Sequence, residues 1–209
     1  MEYYLLQYPS FLVSRFDTVV DIVFYIHTPS NKNDSAPEEK YFVNSMIEDF
    51  DISENKARVA ILTAGMSPSS FRANLTDNMA LLQSRIENID TSEMKGKVTM
   101  TSIIGAIVDS FESSGRTDVP QVAFLLTDTV NIEVERNVSY EVDAYREGIK
   151  FVAVGVGSSV DKSLLDEFAD AESFTMSDFE DLRNEELLME IANEASPGKL
   201  DNTFYLQLP

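Results

Sequence analysis

Four short runs of apolar, β-prone residues constrain this chain most: Val19–Ile26, Ala57–Leu62, Gln121–Thr127 and Ile149–Val156. Each is nearly continuous in hydrophobic residues. Strands buried on both faces read this way, as in a parallel sheet, whereas half-exposed strands alternate. Between the runs lie stripes with helical spacing. They are Phe42, Val43, Met46, Ile47 and Phe50; Met79, Leu82, Ile86 and Ile89; and Ile103, Ile104, Ile107, Val108 and Phe111. Val134, Val138, Val142 and Tyr145 follow, then Leu164, Leu165 and Phe168, and finally Phe179, Leu182, Leu188, Ile191 and Ala195. Two further strands are expected at Phe71–Leu75 and Glu172–Met176. Pro120 and Gly148 punctuate strand starts, and Asp161 and Asp178 suit helix starts. Such alternation predicts an α/β fold, a three-layer α-β-α sandwich around an open, mostly parallel sheet. Ligands of such folds bind beyond the carboxyl ends of the strands, where strand order reverses. Attention therefore falls on the residues just after Ile26 and Thr127, and on the loop before Ile103.

Charge and residue usage narrow the function classes. Sixteen basic against 36 acidic residues leave a net charge of −20, which disfavours nucleic acid and anionic lipid as partners. From Asp166 to Glu194 there are eleven acids and one base, Arg183. This is read as a solvated outer face, with a docking surface for a basic partner or for calcium as the sharper alternative. No apolar run approaches the roughly 18 residues of a membrane span. The chain has no cysteine, which removes disulfides, thiolate nucleophiles and thiolate metal sites. The start, Met1 to Pro9, lacks the basic region of a secretory signal, which is compatible with a piece of a longer protein. The aromatic-aliphatic strings of the two tails, Tyr3–Leu6 and Phe204–Leu206, are expected to pack on the domain.

Several ordered segments resemble the von Willebrand factor type A domain. They are Asp21-Ile22-Val23-Phe24-Tyr25-Ile26; Phe50-Asp51-Ile52-Ser53 with Arg58-Val59-Ala60; and Phe124-Leu125-Leu126-Thr127-Asp128. Phe151-Val152-Ala153-Val154-Gly155-Val156-Gly157 and Phe174-Thr175-Met176-Ser177-Asp178-Phe179 complete the set. The style is similar to the extracellular matrix branch, collagen VI-like and matrilin-like. The resemblance implies a Rossmann-like six-stranded sheet with one antiparallel edge strand. It places the domain at residues 17–196, between an N-terminal extension, 1–16, and a C-terminal one, 197–209.

That family is known for a metal-ion-dependent adhesion site, Asp-x-Ser-x-Ser after the first strand, with a Thr before the third helix and an Asp after the fourth strand. Magnesium, a hard ion, wants about six oxygens in near-octahedral array. Here the Asp falls on His27, the first Ser on Pro29 and the second Ser on Asn31, while Thr99 and Asp128 keep their identities. Imidazole nitrogen suits magnesium poorly, proline offers no side-chain donor or acceptor, and Asn31 offers oxygen without charge. The resemblance thus implies a degenerate site with His27, Pro29, Asn31, Thr99 and Asp128 at its rim, and no metal or other cofactor. A slipped alignment would recruit Ser30, Asp34 or Ser35 instead, with Lys32 in their midst. Thr99 and Asp128 are expected to hydrogen-bond loop backbone. His27, the sole histidine, is expected to bond Asp128 or backbone. A neighbouring Asp128 would raise its pKa, the basis of a pH-switch alternative.

Three sequons, at Asn33, Asn74 and Asn137, are glycosylation candidates, Asn33 foremost for its polar loop. Gly155-Val156-Gly157 reads as a turn after a buried strand, since no phosphate-loop lysine follows. A Ser–His–Asp triad would have to use His27, and no G-x-S-x-G elbow exists. The expectation is a non-catalytic, metal-independent protein–protein interaction module of a secreted extracellular matrix or adhesion protein. Its expected partners are other matrix proteins or collagen, with a basic surface as a further possibility. The alternatives are metal-dependent adhesion through a rebuilt site, an acidic matrix protein associated with calcium mineral, and an intracellular assembly platform.

Overall fold

The computed structural model describes residues 16–30, 36–64, 74–90, 94, 96–133, 148–169 and 173–195. The four apolar runs are strands β1 (Val20–His27), β2 (Ala57–Thr63), β4 (Gln121–Thr127) and β6 (Ile149–Val156). With β7 (Phe174–Met176) they form a five-stranded sheet in the order β2-β1-β4-β6-β7, and every pairing is parallel. Helices α1 (Pro37–Glu48), α2 (Met79–Glu87), α3 (Met100–Ser114), α4 (Lys162–Phe168) and α5 (Glu185–Ala195) flank it, with a 3₁₀ turn at Phe179–Arg183. At the β2 edge Thr76 makes an isolated antiparallel bridge to Val59, where the antiparallel edge strand was expected. Residues 71–73 of that expected strand, the stripe from Val134 to Tyr145 and both chain ends lie outside the described residues. Two-residue strands β3 (Val98–Thr99) and β5 (Ile132–Glu133) form a small parallel ladder. Two residues carry no periodicity, so the sequence gives no sign of it.

Alternation along the strands feeds two cores. On one face Ile22, Phe24 and Ile26 of β1 meet Phe42, Val43 and Met46 of α1, Leu82 and Ile86 of α2, and Ile191 of α5. Phe24 stacks on Phe124 with ring centroids 4.9 Å apart and stands edge-on to Phe42. On the other face Val23 and Tyr25 meet Ile103, Ile104, Ile107 and Phe111 of α3, and Leu164, Leu165 and Phe168 of α4. Burial pushes the Tyr25 phenol up to about 12. Burial on this scale, at about 25 cal/mol per Å² of apolar surface, is the main force holding both layers to the sheet. Gly155 permits the close approach of α4: a Cβ there would lie 2.4 Å from Leu165 and 2.6 Å from Val160. Met79, counted in a helical stripe, opens α2 on its exposed side.

The helix starts follow local chemistry. Thr99 accepts from the Ser102 amide at 3.1 Å and heads α3 in a reciprocal box. Asp161 and Asp178 cap α4 and the 3₁₀ turn, as expected from their positions. Gly148 enters β6 with φ 91°. At the amino-terminal ends of the strands Asp21 is fully buried against Arg116. The guanidinium donates to Asp21 Oδ1 at 2.7 and 3.0 Å, and its own backbone N–H reaches Oδ2 at 2.7 Å. Nη2 also serves the carbonyls of Val20 and Lys56, so one side chain ties β1 to the segment entering β2.

Candidate functional site

Strand order reverses between β1 and β4, so the crevice of this fold lies beyond His27 and Thr127. The chain brings His27 and Asp128 together there: the Asp128 amide donates to the His27 carbonyl at 3.3 Å. Asp128 is 2% exposed, and each carboxylate oxygen takes a backbone N–H. Oδ2 accepts from Ser30, in the turn after β1, at 2.6 Å. Oδ1 accepts from Val130 at 2.9 Å, closing a local turn of the kind Asp favours.

His27 is wholly buried, and its Nε2–H donates to the Val130 carbonyl at 2.9 Å. A carbonyl can only accept, so Nε2 carries the proton and Nδ1 holds the lone pair. Nδ1 is buried and has no hydrogen-bond partner among the described residues. The backbone bond agrees with expectation, but the pKa direction does not. Burial pushes the imidazole below its ordinary value, and the Val130 carbonyl and the Asp128 charge, which pull upward, do not outweigh it. The expected upward shift, and the switch built on it, counted the neighbouring charge and not the desolvation.

Thr99 sits beside this turn through Val98, whose N–H donates to the Asn131 carbonyl at 3.0 Å, and its hydroxyl oxygen caps α3. Of the two residues that keep the family's identity, Asp128 bonds loop backbone, as expected, whereas the Thr99 hydroxyl bonds an amide in the first turn of α3 instead. Pro29 is half-buried and Ser30 is exposed. Asn31, Asn33, Asp34 and Ser35 lie outside the described residues, as does Asn137; Asn74 is exposed. Among the described residues no group of three or more His, Asp or Glu side chains converges at metal-ligand spacing.

Sequence reasoning missed three contributors. Thr28, fully buried, donates its hydroxyl to Glu39 Oε1 at 2.9 Å, tying the β1 turn to α1. Thr129, a β-branched residue, takes φ 60°, and Asn131 takes φ 62°. Thr129 is held by its N–H on Thr127 Oγ1 and by its own Oγ1, which accepts from the Asp161 N–H, both at 2.9 Å. The readable signal was Asp128-Thr129-Val130-Asn131 directly after a buried strand, a composition suited to a tight turn. Beyond β6 and β7 lies a shallow cleft lined by Gly157, Ser158, Lys162, Thr175 and Ser177. Lys162 is already bonded to Asp166 and Ser173 there. No helix among the described residues is long and apolar enough to cross a membrane.

Comparison with known proteins now bears on this geometry. The family model of the von Willebrand factor type A domain matches residues 21–190. Matrilin-1 of Gallus gallus is 25% identical over 193 residues, which cover 86% of this chain and 38% of that relative. The chain therefore spans well under half the length of this curated relative. Among solved structures, proximal thread matrix protein 1 from the mussel byssus aligns with TM-score 0.66 and 23% identity, over 85% of this chain and 46% of that one. The same mussel protein, solved with zinc in its metal-ion-dependent adhesion motif, aligns with TM-score 0.66 and 17% identity, over 84% of this chain and 48% of that one. A type A domain from Catenulispora acidiphila gives TM-score 0.63 at 15% identity, over 86% of this chain and 43% of that one. The structural likenesses bear on the fold alone.

Proposed function

Because the chain belongs to the von Willebrand factor type A domain family, we propose that it is a non-catalytic protein–protein interaction module of a matrix or adhesion protein, and that it binds without a bridging metal ion. The observation that carries the second half is the engagement of Asp128. Both of its oxygens take backbone N–H groups inside a site that is 2% exposed. Magnesium needs about six oxygens, several of them water, and Asp128 brings to that set only the lone pairs its two amides leave free. The neighbouring donors do not make up the set. Thr99 Oγ1 caps a helix, His27 presents nitrogen, and Pro29 presents nothing. The described residues therefore do not fit the ion that the family implies.

The matrix assignment draws support from the name of the mussel relative, a thread matrix protein, and from the likeness to matrilin-1. On this reading the protein is secreted into the extracellular matrix. The domain spans 17–196 between its extensions 1–16 and 197–209, and its partners are other matrix proteins or collagen. Contact then uses the half-buried part of the proposed rim, Pro29 and Thr99, with the sequence around Asn31, or helix faces; His27 and Asp128 are buried beneath it and shape it from within. A basic surface is a further partner class, given the net charge of −20. Asn74, exposed, and Asn33 and Asn137 are the sequons a secretory pathway would offer for glycosylation.

Calorimetry of the full chain with magnesium, manganese and calcium tests the metal-free reading. The expected result is no stoichiometric heat, with binding to immobilised collagen or matrix protein unchanged in EDTA. A single saturable micromolar site, with binding lost in EDTA, would instead make this a metal-dependent adhesion domain. Many weak calcium sites without a tight one would favour a role at calcium mineral.

A further inference from the structure

We infer that Asp128 is an internal loop clamp: its carboxylate gathers two backbone N–H groups where a cation would otherwise organise the edge, and it locks the turns after β1 and β4 in one conformation that divalent ions do not regulate. This deepens the metal-free reading and rests on it for the regulatory half; the clamp itself is a separate claim about geometry.

The two amides come from segments far apart in sequence, Ser30 at 2.6 Å and Val130 at 2.9 Å. A carboxylate taken out of water must be compensated by opposite charge or by hydrogen bonds, and N–H donors to a carboxylate are the strong kind. One oxygen serves each turn, so Asp128 joins them as a two-pronged staple. Any cation reaching it would have to share an oxygen with an amide, on a residue that is 2% exposed.

The turn itself carries the signature of a held conformation. A β-branched residue at φ 60° lies in a region such side chains avoid, and it persists only where the surroundings over-determine it. Here every residue from Thr129 to Asn131 is tied to a different neighbour. The Thr129 N–H donates to the end of β4, and its hydroxyl oxygen accepts from the start of α4. The Val130 N–H goes to Asp128, and its carbonyl accepts from His27 on β1. The Asn131 carbonyl accepts from Val98 at the start of β3. Four elements therefore converge on three residues, with Asp128 as the only charged contributor among these bonds.

Amide hydrogen exchange by NMR on the full chain tests the clamp. In EDTA the Ser30 and Val130 amides are expected to exchange about 10- to 100-fold more slowly than unstructured peptide, and magnesium or calcium should leave them unchanged. Asp128→Ala should release both amides while Phe24, deep in β1, stays protected and reports an intact fold. Asp128→Asn, with one acceptor oxygen, should keep one of the two protected. Should Asp128→Ala fail to fold, the wild-type comparison with and without cation still decides. Amides unprotected in both conditions would overturn the clamp while leaving a metal-free calorimetric result standing. Amides unprotected in EDTA and protected by magnesium would overturn the clamp and the metal-free reading together.

Discussion

Asp21 and Asp128 are both buried carboxylates, one at each end of the sheet, and their surroundings differ in kind. Asp21 faces a guanidinium: Arg116 supplies two side-chain donors to Oδ1 and its own amide to Oδ2. Asp128 faces two amides, from Ser30 and Val130, beside an imidazole that burial holds towards its neutral form. The lower end carries a covalently attached cation, so its charge balance is part of the chain. At the upper end, among the described residues, backbone N–H dipoles bond both carboxylate oxygens. That upper edge is also where ligands of open parallel α/β sheets bind. The contrast teaches that one fold can hold a buried carboxylate with a guanidinium at one end of its sheet and with backbone N–H groups at the other.

Breaking the lower end should cost most. Arg116→Ala leaves Asp21 charged, buried and without its partner, and should lower stability by about 3–5 kcal/mol in urea unfolding. Arg116→Lys should recover only part of this, since one ammonium cannot reproduce the fork that reaches Asp21, Val20 and Lys56. A loss below about 1 kcal/mol for the alanine variant would mean that the lower carboxylate is not held by charge. At the upper end Asp128→Ala orphans two backbone donors and should cost about 2 kcal/mol. A loss equal to that of Arg116→Ala would erase the distinction drawn between the two ends.

The third prediction concerns pH. A histidine whose folded pKa lies below its ordinary value of 6.5 binds fewer protons folded than unfolded as pH falls through that range. Its contribution is therefore fully present above about pH 6.5 and is lost as pH drops through the folded value. Thermal unfolding between pH 8 and 5 should show this loss, and His27→Gln should flatten it. An NMR titration placing His27 above 6.5 would reverse the sign and return the upper edge to an Asp128-dominated site.

How much of this was legible depends on what residue type can encode. The strands β1, β2, β4 and β6 announced themselves because burial on both faces demands apolar residues at nearly every position. The five-residue stripe of α3 was equally plain, since Ile103, Ile104, Ile107, Val108 and Phe111 are all buried. Asp161 and Asp178 were readable as short polar side chains at helix starts, whereas the capping role of Thr99 was not drawn from its sequence. That Asp128 would bond loop backbone was readable from its place after β4, but not which amides it takes, because Ser30 and Val130 contribute backbone N–H groups, which every residue except proline possesses. The Asp21–Arg116 pair spans 95 positions and depends on where α3 ends relative to β1, which no local pattern records. Alignment placed His27 beside Asp128, but the sign of its pKa shift follows from complete burial, a property of the packed fold.

Thermal unfolding of the full chain with EDTA or with millimolar magnesium tests the central claim most directly. The same midpoint is expected in both, because the amides of Ser30 and Val130 already compensate the Asp128 carboxylate and, among the described residues, no group of three or more His, Asp or Glu side chains converges to hold an ion. An ion bound to the folded state at 100 times its dissociation constant would add about 2.7 kcal/mol, raising the midpoint by roughly 5–10 °C for a chain of this size. A saturable rise of that order would contradict the account.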